Sequence, residues 1–435
     1  MSHPDIDTEA AAAAAESLHE KEGGSTSFSD EGEEAFPAYT RYLVIAGSFV
    51  ALALSAGLVH AWGVEMEYFV SSVYAGDDRS IGILGYVGTL MYFGMVFWGM
   101  PAGWAAEVWS YRGVCLVGTA TMALGLLLAS FWHRPWQLCV THGLITCVGI
   151  GTVYVPAATA PARWFTQHRG LATGVAISGV GVGGLVIAPL TEYLMSNTTV
   201  AWCQRITAIY VLVLGSAASL LVRVPAPDRT RAFNTIDWRA FGSPRFGIHA
   251  ATIFCVTAAY IVPFTYLPKF WVQHGLSTDS ASVLITVANT GSSIGRLSAG
   301  IVADHLGVLN SLALALAAAG VWCLALWPFS TSFGSGVAMS LAYGISSGGY
   351  WTLAPLAAAR LFGIERLTSN AGSFYTVAAA GAWLGNPVAD AFLRGPSDDL
   401  TFLGMSVYVG ALWVVASFMA GTNRWLLSRK LIDKV

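Results

Sequence analysis

Charge is scarce in this chain: 11% of its 435 residues are Asp, Glu, Lys or Arg, where a soluble domain carries about 25%. With 55% of the residues hydrophobic, a soluble protein of this length could not hide its apolar surface and stay in solution. Other absences narrow the function. No Gly-Lys pair occurs anywhere, so there is no phosphate-cradling P-loop and no ATP-driven pump of that class. No His-Glu-x-x-His run occurs either, and no serine, aspartyl or thiol pairing marks an enzyme. The six cysteines, Cys115, Cys139, Cys147, Cys203, Cys255 and Cys323, fall inside apolar runs and form no Cys-x-x-Cys pair, which excludes a zinc site or a disulfide framework. Neither metal, cofactor nor nucleic acid is expected. The first forty residues lack an apolar h-region and so form no cleaved secretory signal.

Long apolar runs are what the sequence does have. A membrane-crossing helix needs about 20 mainly apolar residues, and twelve such runs follow one another. They span roughly 42–64, 81–102, 113–131, 136–160, 170–193, 201–222, 246–270, 282–302, 308–329, 333–357, 369–390 and 400–422. Pro156 and Pro263 interrupt two of them. Before the first run, residues 1–40 hold ten acidic side chains against Lys21 alone and have almost no aliphatic or aromatic weight. Such a composition cannot offset the entropy of ordering, so this segment is expected to be a disordered acidic tail.

Lys and Arg divide unequally between the two sets of loops. One set holds Arg112, Arg163, Arg169, Arg223, Arg229, Arg231, Arg239, Arg245, Arg360 and Arg366, with Arg424, Arg429, Lys430 and Lys434 after the last run. The other holds Arg79, Arg134 and Arg394. The positive-inside bias makes the first set cytoplasmic, with both termini inside. Asn197-Thr198-Thr199 then faces outward as a possible glycan acceptor.

A self-match at one offset adds more. Gly103-x-x-Ala106-Glu107 returns 197 residues later as Gly300-x-x-Ala303-Asp304, Arg163-Trp164-Phe165 as Arg360-Leu361-Phe362, and Arg169 as Arg366. Gly149 and Pro156 return 199 residues later as Gly348 and Pro355. Six spans are therefore duplicated. The expected division is a tail over 1–40, a six-helix half over 41–222, a basic linker over 223–245, a second half over 246–422 and a basic tail over 423–435. Parallel repeats of this kind describe the two halves of a major facilitator.

The residues themselves carry that resemblance. Gly103-x-x-x-Glu107 through Arg112, and Gly300-Ile301-Val302-Ala303-Asp304-His305-Leu306-Gly307, resemble the paired loop signature of the major facilitator superfamily. Trp164-Phe165-x-x-x-Arg169-Gly170-Leu171-Ala172-x-Gly174 is similar to the fifth-span signature of its monocarboxylate transporter-like branch, and Gly63-Val64 before Tyr68-Phe69 fits fungal members. The resemblance implies an all-α polytopic membrane protein with twelve transmembrane helices in two six-helix halves. It also implies gating roles for Gly103, Glu107, Arg112, Gly300 and Asp304. Ser292 stands where the animal lactate carriers have an aspartate, and Gly63 near where they have a lysine, so simple lactate–proton symport is not implied.

Charges deep in a span are costly and mark functional sites by default. Arg296 leads: a guanidinium stays charged and grips a carboxylate with two parallel bonds. Asn289 and Ser292 share its helical face, and Tyr350 and Tyr375, with Tyr260 and Trp351, are aromatics that could stack on a flat ligand. The alternative for Arg296 is a structural tie to backbone carbonyls, and for the aromatics, packing. Glu65, Glu67 and His60 near the end of the first span could carry a coupling proton. Otherwise the glutamates are solvated at the outer mouth and His60 is a satisfied core histidine. His142 reads as core.

These features imply a secondary transporter for a small organic, carboxylate-bearing metabolite, working as a monomer in the plasma membrane with a proton as the candidate coupling ion. Export of a fungal secondary metabolite, uptake of a monocarboxylate or vitamin, and a non-transporting nutrient sensor remain open.

Overall fold

The computed structural model describes residues 37, 39–74, 77–225, 243–363, 367–393 and 402–428. The acidic tail before residue 37, linker residues 226–242, Arg366 and residues 429–435 lie outside the described residues, and so do the expectations placed on them. Twelve helical segments make up the described chain. The first six are Tyr39–Tyr68; Asp78–Phe97 continued by Gly99–Val108; Tyr111–Ala129; Pro135–Leu138 running through a π-turn at Cys139–Ile145 into Thr146–Thr159; Arg169–Asn197; and Val200–Leu221. The second six are Pro244–Gln273; Thr278–Leu306; Val308–Val321 continued by Trp322–Leu326; Phe333–Phe362; Leu367–Leu393; and Phe402–Leu427.

Nine segments are long and apolar enough to cross a membrane by length and composition alone, among the described residues. The other three, Thr278–Leu306, Phe333–Phe362 and Leu367–Leu393, are 29, 30 and 27 residues long but thin their apolar run with Ser, Thr, Asn and Gly. Such residues are tolerated in lipid where they face other helices, since small side chains let backbones approach and hydroxyls bond across the contact. Segments eight and ten show this: a Cβ on Gly344 or Gly348 would collide with the backbone of Ala288 or Ser292, and the Thr352 hydroxyl donates to Arg296 O at 2.9 Å.

The helices outrun the apolar runs at their ends. Segment eight, expected over 282–302, spans Thr278–Leu306. Hydropathy reads the lipid-facing centre, but a helix continues until its end groups find partners. Ser277 accepts from Ser280 N at 3.2 Å at one end, and Gly307, at φ 89°, turns the chain at the other. The interrupting prolines sit inside continuous helices. Neighbouring hydroxyls tie the backbone around them: Thr159 donates to Val155 O at 2.9 Å, and Tyr343 donates to Tyr260 O at 2.9 Å, one turn before Pro263.

Two seams join the first six segments to the last six. Segment five packs on segment eight, and segment two on segment eleven. Glycines make the first seam: a Cβ on Gly300 would collide with Gly170 O, and one on Gly174 would lie 2.8 Å from Arg296 O. The opposite face of segment five meets segment one the same way, Gly179 at Phe49 O and Gly183 at Ala53 O. The three-and-four-residue glycine spacing is thus a two-sided contact surface on one helix.

Candidate functional site

A cavity of about 1130 Å³ lies between the two sets of six segments. Its lining reaches the ends of segments one, five and eight that bear Tyr68, Glu192, Ser196 and Asp279, all exposed. Its deepest lining residues include Met95, Tyr154, Arg296 and Trp351. Below these, toward the arginine-rich end, the seam between segments five and eight is shut. Asp304 accepts from Gly170 N at 2.8 Å and from Leu171 N at 2.9 Å, so its carboxylate caps the first turn of Arg169–Asn197. The first amides of a helix have no intrahelical acceptor and the helix dipole favours an anion there. The lining thus reaches the end away from the arginines, while the seam between segments five and eight is closed at the other.

Arg296 is the only Lys or Arg on the cavity among the described residues. Its side chain is 4% exposed, and its Nε has no hydrogen-bond partner within the described chain. Glycine on the facing helix leaves room for two side chains of segment eight: a Cβ at Gly181 would collide with the Ser293 hydroxyl and lie 3.2 Å from Arg296 Nη1. One turn further along that helix, a Cβ on Gly184 would lie 3.2 Å from the His60 ring. Gly181 and Gly184 thus set Arg296 and His60 beside one another. His60 Nδ1 lies 2.8 Å from Ala56 O. A carbonyl only accepts, so Nδ1 carries the proton and Nε2 is left for the cavity.

Aromatic rings complete the wall. Tyr92, Tyr154, Tyr260, Phe264 and Trp351 line the cavity. Tyr260 meets Trp351 edge-on at 5.4 Å and Phe264 at 5.4 Å. The Tyr92 hydroxyl and Trp351 Nε1 are buried without a hydrogen-bond partner among the described residues. Trp351 Nε1 and Arg296 Nε only donate, whereas the Tyr92 hydroxyl both donates and accepts.

The residues expected at this site divide. Arg296, Asn289 and His60 lie on the cavity. Tyr375 and Tyr350 form a second layer behind Trp351: Tyr375 stacks on it at 6.3 Å and 7°, and Tyr350 meets it at 5.3 Å and 69°. Ser292 is 2% exposed and faces Gly348 in the contact with segment ten, off the cavity. It shares a helical face with Arg296 only loosely, since a four-residue step turns the side chain by about 40°. Glu65 is not solvated at a mouth. It is 5% exposed, accepts from Gln204 Nε2 at 3.1 Å and lies 3.5 Å from His142 Nδ1. The π-turn at Cys139–Ile145 carries His142, a distortion frequent at functional sites. The side chain of Glu67 lies outside the described residues. Asn197 is exposed at the open end, its amide donating to Tyr193 O at 2.8 Å.

The gating and family-motif residues gather at the shut end. Glu107 accepts from Arg163 at 2.7 Å, and that guanidinium also sits over the Tyr111 ring at 5.6 Å. Gly103 is buried, and Arg112 is exposed beside this pair in sequence. Trp164 Nε1 donates to Arg223 O at 2.6 Å, Arg169 Nε donates to Phe165 O at 2.9 Å, and Phe165 takes the Arg41 guanidinium at 5.6 Å. Gly174 and Gly300 form the seam itself. Sequence reasoning missed Tyr92, Tyr154 and Gln204; its reading of His142 as a core histidine agrees with a residue 1% exposed but did not foresee the Glu65 beside it. The available signal was positional: Gly181 and Gly184 mark where segment five leaves space for partners that lie far away in sequence.

Comparison with known proteins follows the same outline. The model of the Major Facilitator Superfamily matches residues 43–386. The chain is 26% identical over 390 residues to the MFS transporter asaE of Aspergillus flavus, covering 88% of both chains. It is 26% identical over 392 residues to the agnestins efflux protein AgnL12 of Paecilomyces divaricatus, covering 90% of this chain and 89% of that one. The fucose:proton symporter FucP of E. coli shares the fold, with a TM-score of 0.67 at 16% identity, over 89% of this chain and 98% of that one.

Proposed function

Because the chain belongs to the Major Facilitator Superfamily, we propose that it is a secondary transporter moving a small organic anion across the bilayer by alternating access. The observation that carries this reading is Arg296, a buried guanidinium on the cavity without a partner for its Nε. A structural arginine would spend its donors on carbonyls or an acid. Asn289, also on the cavity, adds an amide one side of the anion can use. The halves 41–222 and 246–422 rock about the seams, with residues 223–245 as their linker. The arginine-rich end is cytoplasmic by the positive-inside bias, which makes the observed cavity outward-facing. The fifth-segment motif supports a place near the monocarboxylate porter-like branch in its fungal form. The efflux named for the Paecilomyces divaricatus relative supports export across the plasma membrane.

Glu65 with His142 and Gln204 is the proton-carrying group in this reading. A carboxyl and an imidazole 3.5 Å apart in the interior can hold one shared proton and release it when the surrounding helices move. They lie apart from the anion site, so proton and substrate can load separately.

The test is flux in proteoliposomes with a panel of radiolabelled monocarboxylates. Losing a charge-assisted grip worth about 1.5–3 kcal/mol lowers affinity about 10- to 150-fold. Arg296→Gln is therefore expected to cut anion flux at subsaturating substrate by at least that lower factor. Unchanged affinity and rate in this variant would remove Arg296 from the site.

A further inference from the structure

The cavity wall constrains the ligand more tightly than "organic anion". We infer that the ligand is a bulky, flat, aromatic monoanion that also carries a hydroxyl able to donate to His60. This rests on the anion reading of Arg296 and deepens it.

Size comes first. Pockets for drug-sized ligands occupy about 300–1,000 Å³, and this cavity, at about 1130 Å³, is at or above the top of that range. A three-carbon acid would leave nearly all of it to water and would touch few of the walls. The wall chemistry follows. Tyr92, Tyr154, Tyr260, Phe264 and Trp351 come from segments two, four, seven and ten and present ring faces and edges to the same space. Edge-on and offset ring contacts favour a flat aromatic body over an aliphatic one of equal area.

Charge fixes the valence. The floor holds one permanent cation, Arg296, whereas the charged groups nearer the open end are the acids Glu192 and Asp279. His60 is the remaining titratable group other than tyrosine on the lining. A single anionic group is neutralised at the floor, and a second carboxylate would extend toward like charge.

His60 supplies the last requirement. Its Nδ1 donates to Ala56 O, which leaves Nε2 as an acceptor on the cavity. Arg296 and His60 stand over Gly181 and Gly184 of one helix, so a ring whose anionic group meets Arg296 can turn a hydroxyl toward His60.

The test is equilibrium binding to the full chain in nanodiscs, with four probes: 2-naphthoate, 4-hydroxy-2-naphthoate, naphthalene-2,6-dicarboxylate and lactate. The expected order is the hydroxynaphthoate tightest, then naphthoate, each at least about tenfold tighter than lactate, with the dicarboxylate weaker than naphthoate. His60→Ala should bring the ratio of the two naphthoate affinities to about one, a readout independent of how much variant folds. Lactate binding as tightly as naphthoate, with both lost in Arg296→Gln, would overturn the aromatic class and leave the anion site standing. No binding of any anion, or no effect of Arg296→Gln, would overturn the anion reading itself. A hydroxyl preference that survives in His60→Ala would overturn the acceptor role.

Discussion

A guanidinium keeps its charge at every physiological pH, so Arg296 must be served by a counter-group or by a cavity that admits one. Gly181 makes the second solution possible by giving the side chain room beside segment five. Gly181→Val would fill that room and also press on the Ser293 hydroxyl; combined with Ser293→Ala to relieve that contact, it is expected to lose anion binding in a chain that still elutes as a monodisperse species. Glu65 poses a different problem. Its carboxylate is buried against Gln204 and His142, and an unpaired charge there would cost several kcal/mol. Glu65→Gln removes the titrating group while keeping an amide able to pair with Gln204. Counterflow exchange should persist in this variant while uptake driven by an imposed pH gradient is lost. Retained gradient-driven uptake would assign the coupling proton to another group. Arg296 was legible as a candidate because a charge inside a span stands out, and it lies on the cavity. Glu65 was legible as a charge but not as a buried one, since its partners lie 77 and 139 positions away.

At the scale of helices, the repeat makes Glu107 and Asp304 equivalent in sequence, yet their surroundings differ. Glu107 pairs with Arg163 of its own set of six, at 2.7 Å. Asp304 reaches across the seam to the amides of Gly170 and Leu171. An N-terminal cap of this sort contributes about 0.5–2 kcal/mol, and here it holds one end of the cavity shut. Asp304→Ala should therefore shift the population toward the state open at the arginine-rich end by about 2- to 30-fold. Thiol labelling of a cysteine placed in the seam, in membranes of known sidedness, reads that shift; unchanged labelling would mean that glycine packing alone holds the gate. Motif spacing announced a gate, but which acid crosses between the halves depended on which helix end each one faces. The glycine pattern was fully legible as close contact, because small residues three and four apart line one helical face.

For the whole molecule, the covalent connection between the last helix of the first six and the first of the second six is residues 222–243, while among the described residues the two sets meet mainly at the seams. Packing in lipid does not depend on chain continuity. A protease site inserted between residues 226 and 242 should leave the cleaved halves co-eluting and still transporting. Separation on gel filtration after cleavage would instead make the linker part of what holds the halves together. The twelve segments, their order and their duplication were determined by the sequence alone, because a bilayer admits few ways to satisfy a backbone and each leaves a long apolar run or a periodic glycine as its mark. Tertiary structure decided which residues meet on the cavity. Arg296 and His60 come together over two glycines of a third helix, Tyr92 and Tyr154 join Trp351 on one wall, and Ser292 turns away. No local rule sets those choices, since they follow from the rotation of each helix about its own axis, which its neighbours fix through packing.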